Sequence, residues 1–320
     1  MPDRKPSQQA VLLLAHGTPG TVEQIPEYLR NVTGGRSLPQ PVVEEIQRRY
    51  TLIGHSPLTE ITEEQGRLVE AELAAAGEPV PVYVAMRNWR PTIPEIVGKM
   101  RADGVEEAAV LCLAPQNSRT SVGLYRRAVE AEAARLRIDF TEGWAQHPLL
   151  IEAFAERLRP TWTSLSAEAG EPVPVLFTAH SVPCRTILAA AGSQEGERGD
   201  PYAEDAKRTA ALVAACVPGI PQWFFAFQSQ GMSGGPWIGP TVEQTLEAIA
   251  ASGVRTLLLQ PIGFLCDHVE ILYDVDILFR EFAAKLNLRV ERPESLNAST
   301  TLSRAVADLA RQGLARLSNR

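Results

Sequence analysis

Two stretches of this chain repeat one another, and they repeat in order. LLLAHGTP at 12–19 is similar to LFTAHSVP at 176–183, and VLCLAP at 110–115 is similar to LLLQP at 257–261. Each apolar run is short, carries branched residues and stops abruptly at polar ones. That is the pattern of a parallel strand buried on both faces. Strands are expected at 10–14, 80–85, 108–113, 173–178, 223–227, 255–260 and 288–291. Helical periodicity fills 61–76, 92–102, 122–136, 149–165, 203–216, 242–252 and 268–286. Strand–helix alternation means an α/β fold of parallel sheets flanked by helices. The duplication implies two similar lobes with a cleft between them. The expected division is an N-terminal lobe over 1–160 and a second lobe over 161–300. An amphipathic helix over 301–320 packs back on the body, and the Pro- and Gly-bearing segment 159–174 is the expected crossover.

Function classes narrow quickly. A chain of 320 residues suits two domains. Its formal charge of −7 and the lack of a basic block argue against a nucleic-acid partner. The N-terminus over 1–9 is polar and has no apolar leader. No apolar stretch reaches the roughly 18 residues of a membrane span, so a cytoplasmic protein is expected. Cys112, Cys184, Cys216 and Cys266 form no C-x-x-C pair and read as reduced thiols.

In open α/β sheets, ligands bind beyond the carboxyl ends of the strands. His16 and His180 stand there in the two repeats. Asp267-His268-x-Glu270 opens a long helix, and Glu270 and Asp274 are four apart and share a face. An imidazole beside a carboxylate takes up protons near neutral pH or holds a divalent transition metal. The competing readings are a histidine that orders a turn and acids solvated at a helix start. Arg87 lies in MRNWRP at 86–91, a mix of apolar, cationic and aromatic groups that suits a flat ligand bearing carboxylates. Trp237 closes the glycine-rich loop 228–237, which lacks the spacing of a P-loop or dinucleotide fingerprint. The long connection 17–57 reads as a lid or binding loop.

These residues together resemble the ferrochelatase family, which inserts ferrous iron into a porphyrin in haem synthesis. The matching strings are LLLAHGTP, RRYTLIGHSPLTEIT, LAPQNSRTSVGLYRRA, TAHSVP, GDPYAEDAKRTAALVA, FQSQGMSGGPWIGPTVEQTL and PIGFLCDHVEILYDVD, spread from Leu12 to about Asn297. The resemblance implies two Rossmann-like lobes with a porphyrin cleft between them. It implies His180 and Glu270 as the catalytic and metal-contacting pair. It also implies that His16, Arg49, Tyr50, Ser56 and Tyr125 contact porphyrin. Arg87, Trp237, His268 and Asp274 are further candidates, and Asp274 and Asp276 are expected on an acidic path along the helix. The sequence departs at Leu278, where many members carry an acid. It departs at His16, where some carry an iron-ligating tyrosine, and at Thr33–Gly34, in a segment that is arginine-rich elsewhere, leaving Arg30 or Arg36 to substitute. Imidazole also ligates haem iron. No late cysteines are present, so neither an iron–sulfur cluster nor another tightly bound cofactor is expected. Fe2+ enters as a substrate. The expected partners are the porphyrin, Fe2+ and, transiently, neighbouring enzymes of haem synthesis. Two rivals stay open: a cobalt or nickel chelatase for another tetrapyrrole, and a haem carrier that turns nothing over.

Overall fold

Strand β1 (Gln9–Ala15) is buried along nearly its whole length, as a run of Ala, Val and Leu requires when both faces of a sheet are covered. It lies inside a parallel sheet of order β2-β1-β3-β4, with β2 at Val82–Met86, β3 at Glu107–Cys112 and β4 at Arg137–Thr141. A second parallel sheet has the order β6-β5-β7-β8. Its strands are β5 (Val175–His180), β6 (Trp223–Gln228), β7 (Thr256–Pro261) and β8 (Arg289–Glu291). The two orders are the same, strand for strand, so the internal repeat of the sequence is a repeat of topology. This is a computed structural model, and it describes residues 8–133, 136–187, 199–230 and 235–319. The polar start at 1–7, residues 134–135 of the helix expected at 122–136 and 231–234 of the glycine-rich loop lie outside the described residues.

The helices are α1 (Ile25–Val32), α2 (Gln40–Ile53), α3 (Leu58–Ala75), α4 (Ile93–Ala102), α5 (Val122–Glu132) and α6 (Pro148–Ala169). They continue with α7 (Cys184–Ile187), α8 (Tyr202–Ala215), α9 (Val242–Ala251), a π-helix (Glu270–Phe279), α10 (Arg280–Lys285) and α11 (Thr300–Ser318). Side chains alternate across a strand. Ala10, Leu12 and Leu14 therefore pack with Ile93, Val97 and Val129 of α4 and α5, while α3 and α11 cover the opposite face. In the second sheet Leu176, Leu257 and Leu259 pack with Leu246 of α9 and with Ile271, Val275 and Phe279 of the π-helix. The repeat extends to the helix starts. Thr92 and Glu95 form a capping box on α4, and Thr241 and Gln244 form one on α9.

Contacts divide the chain into two units. The first holds the residues up to Pro115, Ser121–Trp144 and those from Asn297; the second holds Gln116–Thr120 and Ala145–Leu296. In this division the long second segment begins at Ala145, within reach of the start of α6. The expected crossover 159–174 is instead mostly the end of α6, which runs on through Pro160. Prolines suggested a linker, but this one is tolerated inside a packed helix. The connection 17–57 is not a bare loop; α1 and α2 occupy most of it. Strand β4 escaped the sequence reading because RIDFT has no apolar run, and it forms a sheet edge where only Phe140 and its neighbours need partial cover. Among the described residues no helix is long and apolar enough to cross a membrane.

Helix α11 is held on the first unit by Arg316, which clasps the buried Asp139 carboxylate at 2.7–3.1 Å. It is also held by the absence of a side chain at Gly313, where a Cβ would come within 2.9 Å of Ala109 Cβ. Gly313→Val is expected to lower stability by about 1–3 kcal/mol through overpacking. Urea unfolding should show a lower midpoint at an unchanged m-value.

Candidate active site

The end of β5 is where the second unit gathers its chemistry. His180 is the last residue of β5 and pairs in register with Gln228 at the end of β6. The chain leaving β7 crosses close behind it. Ile262 N–H donates to Thr178 carbonyl at 2.8 Å, and a Cβ on Gly263 would lie 3.0 Å from Ala179 Cα. Only glycine lets this backbone approach so near, and the approach delivers Phe264, His268 and the π-helix to His180. The Phe264 ring centroid is 6.2 Å from that of His180 and 4.5 Å from that of His268. The loop bearing Trp237 bridges back to Pro183 and sets the indole 6.4 Å from the His180 ring.

Two imidazoles converge on one carboxylate. His180 Nε2 is 3.5 Å from Glu270 Oε1, and His268 Nε2 is 3.6 Å from Glu270 Oε2. His180 and Glu270 are half-buried and His268 is buried. Each ring uses its other nitrogen on a backbone carbonyl: His180 Nδ1 on Ser181, and His268 Nδ1 on Cys266 at 3.1 Å. A carbonyl only accepts, so both Nδ1 atoms donate and both Nε2 atoms are the basic ones facing the carboxylate. Burial disfavours a charged His180, but the Glu270 carboxylate, the Ser181 carbonyl and Asp274 outweigh it and hold its pKa above the ordinary value. Burial likewise opposes the charge on Glu270. His180 first and His268 second overcome it and hold that carboxyl well below the usual range. The Nε2 of His180 therefore faces a carboxylate that favours its protonated form. Among the described residues no group of three or more His, Cys, Asp or Glu is arranged to hold a metal ion. His180 and Glu270 offer one nitrogen and one oxygen donor, a set that suits Fe2+ and its neighbours.

The expected α-helix at 268–286 is instead a ten-residue π-helix followed by α10. The wider i→i+5 turn still leaves Glu270 and Asp274 close on one side, and such segments, rare overall, are frequent at functional sites. Asp274 is buried and accepts from Ser229 Oγ at 2.5 Å. Asp276, also expected on the acidic path, is paired with Arg292, which takes its carboxylate at 2.7–2.8 Å. Two supporting residues, Gln228 and Tyr202, escaped the sequence reading. Gln228 Nε2 donates to the Glu270 carbonyl at 3.3 Å, and its amide oxygen accepts from Thr178 Oγ1 at 2.5 Å. Tyr202 hydroxyl, its pKa pushed up by burial, donates to the His180 carbonyl at 2.8 Å. Gln228 was findable, since it ends a strand as His180 does; Tyr202 arrives from α8 and left no local signal.

In the first unit His16 directly follows the last residue of β1, one place beyond the position His180 takes at the end of β5. Its Nε2 is 2.9 Å from Tyr28 hydroxyl, and Asn88 Nδ2 lies 3.1–3.2 Å from the ring nitrogens. Tyr28 in turn packs edge-on against Trp89. The Arg87 guanidinium sits 5.1 Å over the Tyr125 ring. Tyr50, Ser56 and Tyr125 are almost fully buried, and Arg49 is paired with Glu45 at 2.9 Å. Arg30 and Arg36 each donate from Nε to nearby backbone carbonyls at 3.2 Å. Tyr28 and Asn88 were missed; the first lay in the stretch read as loop, and the second only gains meaning from its nearness to His16.

The charge pair has a testable sign. A raised imidazole pKa adds stability that is complete below the unfolded value and lost as pH rises through the folded one. A lowered carboxyl pKa adds stability that is lost as pH falls through the folded value. The pair thus stabilises most between those limits. NMR titration of the His180 ring should give a midpoint above that of free histidine. In Glu270→Gln it should fall, because burial then acts without its main opponent; an unmoved midpoint would refute the pairing.

The ferrochelatase family model matches residues 8–314. A ferrochelatase of Acidobacterium capsulatum is 59% identical over 314 residues, covering 96% of this chain and 95% of the relative. A coproporphyrin III ferrochelatase of Mycolicibacterium vanbaalenii is 34% identical, covering 95% and 89%. Among solved structures, SirB from Bacillus subtilis with Fe3+ aligns over 98% of both chains with a TM-score of 0.60 and 13% identity, a likeness of fold alone. Repeated topology, strand-end histidines and a match that runs nearly end to end agree, and the chain belongs to the ferrochelatase family.

Proposed function

We propose that this chain inserts Fe2+ into a porphyrin in haem synthesis, with His180 and Glu270 as the reacting pair. The observation that carries this reading is the convergence of two basic Nε2 atoms on the Glu270 carboxylate at the end of β5. Metalation releases two pyrrole protons and strips water from Fe2+. A flat macrocycle keeps its nitrogen lone pairs in the ring plane, and holding it domed exposes them at a strain of about 1–5 kcal/mol supplied by remote contacts. His180 Nε2 takes a proton or touches the metal; Glu270 stabilises the imidazolium or supplies an oxygen donor. His268 adds a second basic nitrogen on the same carboxylate. Trp237 packs near the reacting imidazole. His16, Arg49, Tyr50, Ser56, Tyr125 and Arg87 are proposed to contact or shape the porphyrin site.

The setting proposed is the cytoplasm, supported by four free cysteines. Burial pushes the Cys266 thiol up to about 12, which keeps it protonated beside the site. Fe2+ and porphyrin are the substrates, and the reading needs no resident cofactor or cluster. A haem carrier would need an iron ligand but no acid–base pair, so the paired carboxylate favours an enzyme.

The test is anaerobic metalation with Fe2+ against coproporphyrin III and protoporphyrin IX in parallel. The wild-type chain should turn over at least one, and the ratio of kcat/KM names the preferred porphyrin. His180→Ala should lower kcat by roughly 10²-fold or more, the usual cost of a lost catalytic base. A variant within about threefold of wild type would remove His180 from the chemistry. Tight haem binding without turnover would favour the carrier.

A further inference from the structure

Glu270 has long contacts to both imidazoles, and the hydrogen bond that Gln228 makes to this residue goes to its backbone carbonyl rather than its carboxylate. The position of the carboxylate is therefore set by the backbone that carries it. That backbone is the first residue of a π-helix with no side-chain cap at Val269, and π-turns are rarely sustained without outside support. Beyond the Gln228 and Ser229 bonds and the core packing, an arginine ties this segment to the chain after β8. Arg292, in the segment after β8, donates to Asp267 Oδ1 at 3.1 Å and to both oxygens of Asp276 at 2.7 and 2.8 Å. Asp267 precedes His268, and Asp276 lies six residues past Glu270, so the two acids bracket His268, Glu270 and Asp274. Ser295 Oγ completes the hold on Asp267 at 2.7 Å. The segment that bears Arg292 is itself pinned. Glu291 pairs with Arg280 at 3.0 Å, and Glu294 pairs with Arg157 of α6 at 2.9 Å.

We propose that Arg292 is a positioning residue, which fixes Glu270 and His268 for reaction by bridging Asp267 and Asp276. Its catalytic consequence rests on the function proposed above; the clamp itself does not. Asp276 then belongs to the clamp rather than to a path that hands Fe2+ along the helix. A bidentate, largely buried arginine is the side chain for this task, because its planar fork holds two carboxylates at fixed angles and lysine cannot copy it. A small shift of a reacting group is costly; a misplacement of about 1 Å can cost on the order of 10²-fold in rate.

The experiment compares Arg292→Lys, Asp276→Asn and the double variant, each first shown to be folded by circular dichroism. In anaerobic metalation each single variant should lower kcat about tenfold while KM for Fe2+ stays within about twofold. The double variant should be no slower than the worse single, as residues acting through one contact are not additive. If Asp276 instead carries the metal, Asp276→Asn raises KM for Fe2+ at unchanged kcat and Arg292→Lys stays near wild type, which overturns the proposal. Hydrogen exchange gives a readout that needs no turnover. Amides over 267–279 should lose protection in both single variants while those of β5 and α9 keep theirs. Unchanged protection over 267–279 overturns the clamp, even if the wild-type chain proves not to metalate porphyrin.

Discussion

A parallel strand cannot be followed by its neighbour through a tight turn; the chain must leave the sheet at the carboxyl end and return by a crossover. In each sheet of this protein that rule collects every strand exit along one edge. His180, Gln228 and Ile262–Gly263 come from three different strands and stand side by side only because β6, β5 and β7 are parallel and adjacent. His16, Asn88 and Arg87 are gathered at the same edge of the first sheet, with Arg87 N–H bonded to the Ala15 carbonyl and Asn88 N–H to that of His16. The rest of the candidate site is built on this edge.

What the edge then does is electrostatic. Both histidines of the second unit give Nδ1–H to a carbonyl and turn Nε2 toward Glu270. Two lone pairs facing one anion would repel it, and a proton between them removes the conflict. That is why the imidazole of His180 is held above its ordinary pKa and the Glu270 carboxyl below its own. The surrounding bonds from Tyr202 and Gln228 go to backbone carbonyls. They fix where the His180 and Glu270 side chains start and leave the imidazole and carboxylate facing one another.

Much of the frame was legible. The central strands β1, β3, β5 and β7 were readable because burial on both faces demands unbroken apolar runs, and the matching echoes announced a repeated topology. The reading weakened wherever burial is one-sided. Residues 17–57 looked like a loop because their prolines and glycines stand out, yet α1 buries Ile25, Tyr28 and Leu29 on a single stripe. Strand β4 carries Arg137 and Asp139, whose charges are met by Glu107 and Arg316, partners distant in sequence. The π-helix read as an α-helix, since the apolar spacing of EILYDVDILF does not separate the two.

The sequence by itself determined the fold class, the repeat and the identities of His180, His268 and Glu270 as residues worth suspecting, because local patterning fixes which strands are buried and where they end. Tertiary structure decided which of those residues meet. The distances from Glu270 to two imidazoles, the ring nitrogen each imidazole keeps free, and the capture of Asp276 by Arg292 depend on crossovers of tens of residues. No local rule encodes the end point of such a crossover; packing of whole helices against the sheet sets it.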